Sequence, residues 1–410
     1  MATVVNAAQE QAGYFFSGSR SVSLIQLPPL SLYVHIPWCV RKCPYCDFNS
    51  HAQQGSLSEQ DYIRALLMDL EQELPLVWGR SIGSIFIGGG TPGLFSAAAI
   101  DELLSGIRAR LRVLPEAEIT LETNPGTFEQ VRFQGFRQAG INRLSIGVQS
   151  FNDAALAALG RIHNHREALV AIEAALMLFD KVNIDLMYAL PAQNVQAALN
   201  DIQTAMNTGV RHISAYQLTL EPNTAFGHTP PPGLPEEDAL ADIEEAVHGR
   251  LSSAGFYRYE TSAFARDAAQ PCRHNLNYWQ FGDYLGIGAG AHGKISSANG
   301  ILRTVKSRHP KDYLAAMLSS CPQDAVVRKE IHPHDLPFEF MMNALRLTEG
   351  VDTALFTERT GLSVANISRN IDTAVKRGLL DSNPARLYPT ALGQRFLNDL
   401  LAIFLAEGKN

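Results

Sequence analysis

Short apolar segments alternate with longer amphipathic stretches between residues 29 and 227. Six apolar segments have the length of buried strands, at 32–36, 84–89, 118–122, 143–148, 182–187 and 212–218. Helical spacing of apolar side chains occurs between them, at 59–74, 97–111 and 194–209. Alternation with such short connections indicates parallel β–α–β units. Since a closed barrel of this kind needs eight units, six predict an open or partial (β/α)6 barrel.

Three further regions surround this predicted barrel. Residues 1–28 lack the basic start and long apolar run of a signal peptide, and they are predicted to form a flexible extension. A proline-rich stretch ends the barrel, and a linking region covers residues 228–334. Residues 335–410 show the pattern helix, helix, two short strands and helix, which predicts a winged-helix-like α+β domain.

The amino-acid composition and the charge limit the classes of molecule that the protein is expected to bind. Of 410 residues, 46% are hydrophobic and 18% are charged, as in a soluble globular protein. The net charge of −7 does not attract nucleic acid, and residues 350–410 carry seven Lys and Arg against six Asp and Glu. No apolar run reaches the roughly 18–20 residues of a membrane span. The sequence therefore predicts a cytoplasmic protein with no membrane span and no nucleic-acid partner.

Three of the five cysteines lie within eight positions, in the stretch HIPWCVRKCPYCDFNSH. Cys39, Cys43 and Cys46 follow the spacing C-x3-C-x2-C, which is too tight for a disulfide framework and typical of metal binding in a reducing compartment. Pro44 disfavours a helical conformation at Cys43, so a loop around a metal centre is expected. Three thiolates suit three corners of a [4Fe–4S] cluster and leave one iron open.

The spacing alone leaves alternatives to a cluster. Zinc prefers four ligands, and His35 or His51 could complete a site with the three cysteines. The usual zinc pattern consists of paired C-x2-C ligands, which this stretch lacks. Free thiols are the remaining interpretation.

Further polar residues follow the predicted strands. The turn GGGTP at 88–92 comes after the second strand, and its glycines let a ligand approach the backbone closely. Because no G-K-[ST] follows, it is not a phosphate-binding loop. Glu122, Gln149, Arg161 and Asp185 lie at or shortly after strand ends, where parallel α/β folds gather ligands. Taken singly, each of the four is more simply explained as a solvated charge or a strand-end cap.

Seven motifs together resemble the radical S-adenosylmethionine (SAM) superfamily. They are LYVHIPWCVRKCPYCDF, FIGGGTP, LETNP, SIGVQSF, LGRIH, DLMYALP and HNLNYW, in the family's order. They resemble most the branch that contains oxygen-independent coproporphyrinogen III dehydrogenases and heme chaperones. The resemblance implies a partial (β/α)6 radical-SAM barrel, a [4Fe–4S] cluster on the three cysteines, and SAM on the open iron. It also implies contacts with SAM, or with the position of a second SAM, from Tyr33, Gly89, Gly90, Thr91, Glu122, Gln149, Arg161 and Asp185. Tyr45, between the cysteines, is predicted to pack over the cluster or the adenine, with plain loop packing as the alternative.

Phe48 distinguishes the two groups within that branch. The decarboxylating dehydrogenases resemble this motif but continue as C-x3-C-x2-C-x-C, and Phe48 takes the place of the last cysteine. The resemblance therefore implies a heme chaperone and puts coproporphyrinogen decarboxylation in doubt. SAM cleavage stays open, and no residue is assigned a catalytic role. The alternatives are an oxygen-independent coproporphyrinogen III dehydrogenase and a zinc-stabilised binding protein.

The stretch CRHNLNYW at 272–279 is the candidate heme site. Imidazole is a normal axial ligand of heme iron, and the aromatic rings of Tyr278 and Trp279 suit a flat porphyrin. From the residues alone, a buried hydrogen-bonded corner is the simpler interpretation. Resemblance to the HNxxYW motif of the heme chaperones implies His274 as a heme ligand, with Cys272 and His292 as weaker candidates. It further implies that the acceptors are hemoproteins of the respiratory chain and that the protein contacts the membrane peripherally through them. A homodimer agrees with the resemblance.

Overall fold

A computed structural model of the chain describes residues 24–53, 55, 58–126, 129–319 and 321–405. The predicted flexible extension at 1–28 lies outside the described residues as far as residue 23. No helix of the described residues is long and apolar enough to cross a membrane.

The described strands and helices alternate along the first half of the chain. The strands are β1 (Leu30–Ile36), β2 (Trp38–Cys39), β3 (His51–Ala52), β4 (Ser81–Gly89), β5 (Arg112–Thr123), β6 (Arg143–Gln149), β7 (Lys181–Tyr188), β8 (His212–Gln217), β9 (Tyr257–Glu260), β10 (Ala263–Ala265), β11 (Asp283–Ile287), β12 (His292–Ser297), β13 (Gly300–Lys306), β14 (Val326–Glu330), β15 (Val351–Asp352) and β16 (Arg386–Leu387). The helices are α1 (Glu59–Glu73), α2 (Ala97–Arg110), α3 (Glu129–Ala139), α4 (Asp153–Ala158), α5 (His165–Leu178), α6 (Val195–Asn207), α7 (Ala225–His228), α8 (Glu237–Ser253), α9 (Arg273–Trp279), α10 (Pro310–Met317), α11 (Leu336–Ala344), α12 (Thr353–Thr360), α13 (Ser368–Lys376), α14 (Ala391–Arg395) and α15 (Leu397–Ala402).

The six predicted strands form the parallel centre of one sheet. They are β1, β4, β5, β6, β7 and β8, and they lie side by side in that order. The linking region, from 228 to 334, extends both edges of the same sheet. Strand β11 pairs parallel with β1, β12 to β14 continue antiparallel, and β10 and β9 continue beyond β8. The predicted partial barrel is confirmed, as an open sheet of twelve strands.

Side chains along β1 point alternately to the two faces of the sheet, and these faces differ in polarity. Leu30, Leu32, Val34 and Ile36 are buried in the main apolar core, which they share with residues of α1 and α2. Ser31 and the other odd positions face the barrel interior, where the Ser31 hydroxyl lies 2.8 Å from that of Ser84 on β4. The interior face is therefore polar, and helices cover the apolar face.

Side-chain caps begin several of the helices that cover the sheet. The Ser96 hydroxyl accepts from the Ala99 N–H at the start of α2, and the Asn194 side chain accepts from the Ala197 N–H at the start of α6. Asn164 and Glu167 form a reciprocal capping box at the start of α5. These local signals account for helix starts close to the predicted ones.

Helix α9 closes one end of the barrel interior. Its Asn277 side chain donates to the Ser31 hydroxyl at 2.9 Å, and the Arg273 backbone N–H donates to the Glu118 carboxylate at 2.7 Å. Glu118 also forms ion pairs with Lys181 at 2.9 Å and Arg143 at 3.8 Å. A helix from the linking region thus seals the end of the barrel away from the carboxyl ends of the strands.

The C-terminal residues pack around a second apolar core. It is formed by α11, α12, α13 and α15 together with the antiparallel pair β15–β16. A further bridge joins Leu380 and Pro389. The sequence places both short strands after the second helix, whereas β15 precedes α12. Val351–Asp352 is only two residues long, which is too short to give an alternating pattern.

Candidate cluster and cofactor site

The three clustered cysteines lie on a loop that begins directly after β1. The two ends of the loop pair with each other, because Trp38 and Cys39 form a parallel ladder with His51 and Ala52. Within the loop, the Cys46 N–H donates to the Cys43 carbonyl at 3.2 Å, which makes a turn. The loop is therefore closed at its base and folded back on itself, as expected for a segment that surrounds a metal centre.

Asn49 fixes the far side of this loop to the linking region. Its side-chain amide donates to the carbonyls of Ala289 at 2.9 Å and Arg308 at 2.8 Å. The Asn49 carbonyl accepts from Nε2 of His35 at 2.9 Å, and Nδ1 of His35 then accepts from the Tyr33 hydroxyl at 2.9 Å. Burial lowers the pKa of His35, in keeping with a neutral ring. Tyr33 is thereby positioned by the cluster loop itself.

The glycine turn after β4 packs directly against the cluster loop. The Gly90 and Thr91 N–H groups donate to the carbonyls of Ile36 and Trp38, both at 2.7 Å. A Cβ atom on Gly90 would lie 2.5 Å from the Trp38 carbonyl oxygen. Gly89 has φ +113°, and a Cβ there would lie 2.5 Å from the His35 ring. Glycine is therefore required at Gly90 by the close backbone, and at Gly89 by the positive φ and the His35 ring.

Each cysteine sulfur has a polar neighbour from a different part of the fold. The distances are 3.5 Å from Cys39 Sγ to Thr91 Oγ1, 3.7 Å from Cys43 Sγ to Arg161 Nη1, and 3.6 Å from Cys46 Sγ to Ser50 Oγ. Such neighbours are the outer partners that metal-bound thiolates commonly have.

A single metal ion does not fit this arrangement well. In the described part of the chain, no three His, Cys, Asp or Glu side chains converge to hold one ion. A [4Fe–4S] cluster binds its cysteines through separate iron atoms, so the sulfur atoms need not meet at one point. Both ring nitrogens of His35 are already hydrogen-bonded, which removes it as a fourth zinc ligand.

Two carboxylates, on strands β5 and β7 at either side of β6, approach each other inside the barrel near the glycine turn. Glu122 on β5 accepts from the Gly89 N–H at 3.0 Å. Burial, with repulsion from Asp185, raises the pKa of Glu122 from its ordinary value of 4.5 to about 7. Asp185 accepts from the Asn183 amide at 2.8 Å and the Ser145 hydroxyl at 3.2 Å, and burial raises its pKa as well. The pair offers hydrogen-bond acceptors to hydroxyl or ammonium groups.

Arg161 and Gln149 lie at the same end of the barrel. The loop after α4 brings Nη2 of Arg161 to the Asn124 side-chain oxygen at 2.6 Å and to the Gly147 carbonyl at 2.5 Å. Gln149 ends β6 with φ +71°, where the register between β6 and β7 shifts. Cys43, Thr91, Asn124 and Arg161 line one cleft of about 220 Å³.

Tyr45 lies in a small apolar cluster at the edge of this site. Its ring centroid is 6.5 Å from that of Phe226, and the cluster includes Leu159 and Leu218. The Phe226 N–H donates to the Pro44 carbonyl at 3.0 Å, which ties the cluster loop to α7. Tyr45 is therefore packed where the cluster loop meets α7.

His274 lies inside the barrel on α9. Its ring centroid is 5.2 Å from that of Phe86 and 6.2 Å from that of Tyr33, and the residue is only 8% exposed. Within the described part of the chain, its Nδ1 atom has no hydrogen-bond partner. Burial lowers the pKa of His274 to about 4, so the ring is neutral and Nδ1 can serve as a ligand atom.

The other residues of the candidate heme motif point elsewhere. Trp279 packs against the C-terminal core, with the Arg346 guanidinium 4.5 Å from its ring centroid. Cys272 is buried, and burial raises the pKa of its thiol to about 11, which disfavours a thiolate ligand. His292 is exposed on β12. The structure therefore does not bring His274 and Trp279 to one surface.

Two asparagines of the site were missed by the sequence reasoning. Asn124 links Thr91 to Arg161, and Asn49 anchors the cluster loop. Asn124 lies within the LETNP motif and follows β5, so its position at a strand end was the available signal. Nothing in the local pattern around Asn49 indicates its partners, because they are about 240 and 259 positions away.

Known proteins resemble this chain in sequence over most of its length. The radical SAM superfamily matches residues 33–205, and the HemN C-terminal domain matches residues 331–396. The heme chaperone HemW of Escherichia coli (strain K12) is 49% identical over 94% of this chain and 100% of that protein. HemW of Bacillus subtilis (strain 168) is 32% identical over 92% of this chain and 99% of that protein. The chain belongs to the HemW family of radical SAM proteins.

A solved structure shares the fold of this HemW-family chain. Coproporphyrinogen III oxidase (HemN) from Escherichia coli, a radical SAM enzyme, matches with a TM-score of 0.77 and 23% sequence identity. The match covers 93% of this chain and 91% of that one. At this identity the likeness establishes the fold alone.

Membership of the radical SAM superfamily implies a [4Fe–4S] cluster and SAM. The donor set of this HemW-family chain fits both. Three thiols share one closed loop, and acceptor groups and a glycine turn lie beside it. Phe48, at the position that would carry a further cysteine, is 61% exposed and contributes no donor to the loop.

Proposed function

We propose that the protein is a heme chaperone that binds heme and a SAM-ligated [4Fe–4S] cluster and transfers heme to acceptor hemoproteins. Similarity to proteins named heme chaperone HemW over 94% of the chain carries this proposal. Phe48 supports it, since the side chain that would distinguish a decarboxylating relative is replaced by an exposed apolar ring.

In this proposal Cys39, Cys43 and Cys46 hold the cluster. Bound there, the cluster supplies one open iron for SAM and a centre that accepts an electron. The site's own residues orient the SAM molecule. Gly89, Gly90 and Thr91 present backbone atoms, while Glu122 and Asp185 accept hydrogen bonds from its hydroxyl or ammonium groups. Tyr33, Tyr45, Gln149 and Arg161 border the same space.

His274 is the proposed heme ligand. Its unpartnered Nδ1 atom and the neighbouring rings of Tyr33 and Phe86 are chemically suited to a porphyrin. Because the residue is 8% exposed, heme contact requires α9 to move away from β4. Cys272 and His292 are the next candidates.

The proposal also covers the setting in which the protein acts. The acceptors are hemoproteins of the respiratory chain, which the cytoplasmic protein meets at the membrane surface. The protein acts as a homodimer, and nucleic acid is not a partner. The chain is organised as a barrel at 29–227, a linking region at 228–334 and a C-terminal domain at 335–410.

An anaerobic heme titration of the cluster-reconstituted protein tests the proposal. The Soret band is followed for the wild type, for His274→Ala and for His334→Ala. His334 is the control because its side chain is 66% exposed, whereas His274 is buried inside the barrel. Saturable binding that weakens only in His274→Ala supports both the function and the ligand.

Each other outcome has a distinct meaning. Binding that is unchanged in His274→Ala retains the carrier function and moves the ligand to another residue. No saturable binding in any of the three proteins refutes the heme chaperone. A porphyrinogen decarboxylation assay would then test the alternative enzyme, with Phe48 as the misinterpreted residue.

A further inference from the structure

A chain of hydrogen bonds connects two of the three cluster cysteines through Asn124. The Asn124 amide donates to Thr91 Oγ1 at 2.9 Å, and Thr91 Oγ1 lies 3.5 Å from Cys39 Sγ. On its other side, the Asn124 carbonyl oxygen accepts from Arg161 Nη2 at 2.6 Å, and Arg161 Nη1 lies 3.7 Å from Cys43 Sγ. Asn124 belongs to neither the cluster loop nor the glycine turn.

The direction of each hydrogen bond in this chain is determined by chemistry. Arginine has donors only, so the oxygen of the Asn124 amide must face Arg161. The NH2 group of Asn124 therefore faces Thr91 and donates to the Thr91 oxygen. With its oxygen occupied as an acceptor, the Thr91 hydroxyl has its hydrogen available for Cys39 Sγ. One asparagine thus sets the direction of two donors.

The surrounding backbone leaves little freedom for another arrangement. Arg161 Nη2 also donates to the Gly147 carbonyl at 2.5 Å, which holds the guanidinium in one orientation. A Cβ atom on Gly147 would lie 2.6 Å from the Asn124 side-chain oxygen. Thr91 is 7% exposed. The half-buried Asn124 side chain is therefore in contact with β6, the glycine turn and Arg161.

We propose that Asn124 is a positioning residue that directs the Thr91 hydroxyl and the Arg161 guanidinium to the thiolates of Cys39 and Cys43, and so raises the reduction potential of the cluster. Reduction adds a negative charge to an already anionic cluster. Hydrogen bonds to the ligand sulfurs stabilise the reduced form more than the oxidised form, and a nearby guanidinium does the same. Loss of this alignment lowers the potential.

This inference rests on the proposed cluster, and the experiment separates the two. The full-length protein is reconstituted anaerobically without SAM, and its iron–sulfur absorption is recorded first. Absence of that absorption from the wild type contradicts the cluster assignment itself. In loaded protein, the potential is measured by redox titration with electron paramagnetic resonance detection. Asn124→Ala is expected to shift the reduction equilibrium at least tenfold, which is about 59 mV for one electron.

Two variants at Thr91 test the proposal even if Asn124→Ala fails to take up the cluster. Thr91→Ser keeps the hydroxyl and is expected to have the wild-type potential, whereas Thr91→Val removes it and is expected to lower the potential. Asn194→Ala is the matched control, because it removes an asparagine that caps α6 far from the cluster loop in sequence.

Double variants test the connectivity. Adding Thr91→Val to Asn124→Ala should lower the potential little further, since both changes act on the same donor. The Ser50 hydroxyl lies 3.6 Å from Cys46 Sγ and also faces Cys39, but its position does not depend on Asn124, so Ser50→Ala should add its own effect. The proposal is overturned if loaded Asn124→Ala keeps the wild-type potential, or if Thr91→Ser and Thr91→Val are equally affected.

Discussion

Glu122 should make the stability of the protein depend on pH in an unusual direction. Its carboxylate lies inside the barrel beside Asp185 and accepts one hydrogen bond from the Gly89 N–H. Burial and repulsion raise its pKa from 4.5 to about 7. Replacement by glutamine mimics the protonated form, because the amide can still accept from Gly89 and carries no charge.

The sign and size of the effect follow from proton linkage. Between about pH 4.5 and pH 7 the folded protein keeps a proton that the unfolded chain has released. The contribution of Glu122 to stability is thus fully present below about pH 4.5 and is lost as the pH rises through 7. At about 1.4 kcal/mol for each pKa unit, the loss reaches about 3 kcal/mol. Glu122→Gln removes this loss.

Urea unfolding of the protein without SAM tests this prediction, followed by circular dichroism. The free energy of unfolding of Glu122→Gln minus that of the wild type should increase by up to about 3 kcal/mol between about pH 5 and about pH 8.5. Glu116→Gln, at an exposed position of β5, controls for the loss of a surface carboxylate. A difference that is constant with pH, or that decreases as pH rises, would show that the Glu122 carboxylate is not held in its protonated form.

Three further substitutions test the packing of the site. Gly90→Ala places a Cβ atom 2.5 Å from a backbone oxygen and should cost about 1–3 kcal/mol in unfolding experiments and reduce iron content. Its control Gly249→Ala, in open space on α8, should gain about 0.5–1 kcal/mol. Lys306→Met removes the buried cation shared by Asp69 and Glu73 of α1, of which Glu73 keeps its ion pair with Arg328, and should cost about 3–5 kcal/mol by urea unfolding; a cost below about 1 kcal/mol would contradict this. Asn49→Ala should cost about 1–3 kcal/mol and accelerate proteolysis of the cluster loop; an unchanged cleavage rate would show that other contacts hold it.

The barrel could be predicted from the sequence because its signals are local. Each parallel strand is a short apolar run, and the chain returns through a helix with an apolar face. The spacing of the apolar residues and the length of each run are therefore enough to predict both kinds of element. The edge strands were missed for a physical reason. Strand β11 pairs with β1 more than 240 positions away, and stretches such as VVRKE on β14 alternate weakly because they lie at an edge.

Within the site, residues on the cluster loop and at strand ends could be predicted, but their partners could not. Position near a strand end indicates that Glu122 and Asp185 approach one another, since parallel strands end at one edge. It does not indicate orientation. Three features depend on how the linking region folds back onto the barrel: the Asn49 contacts, the position of α9 at the end of the barrel, and the burial of His274. The spacing of apolar residues along the sequence gives no information about that fold.

Tyr33 lies between the two ends of the barrel interior and links the two proposed ligands. Its hydroxyl donates to His35, which fixes Asn49 and with it the cluster loop. Its ring lies against His274, whose helix closes the other end. A porphyrin that displaced α9 would change the packing of the Tyr33 ring without touching the cluster. In the proposed function, heme at His274 and SAM at the cluster would therefore have Tyr33 as a common neighbour, together with Phe86, whose ring centroid lies 6.3 Å from that of Tyr33 and 5.2 Å from that of His274.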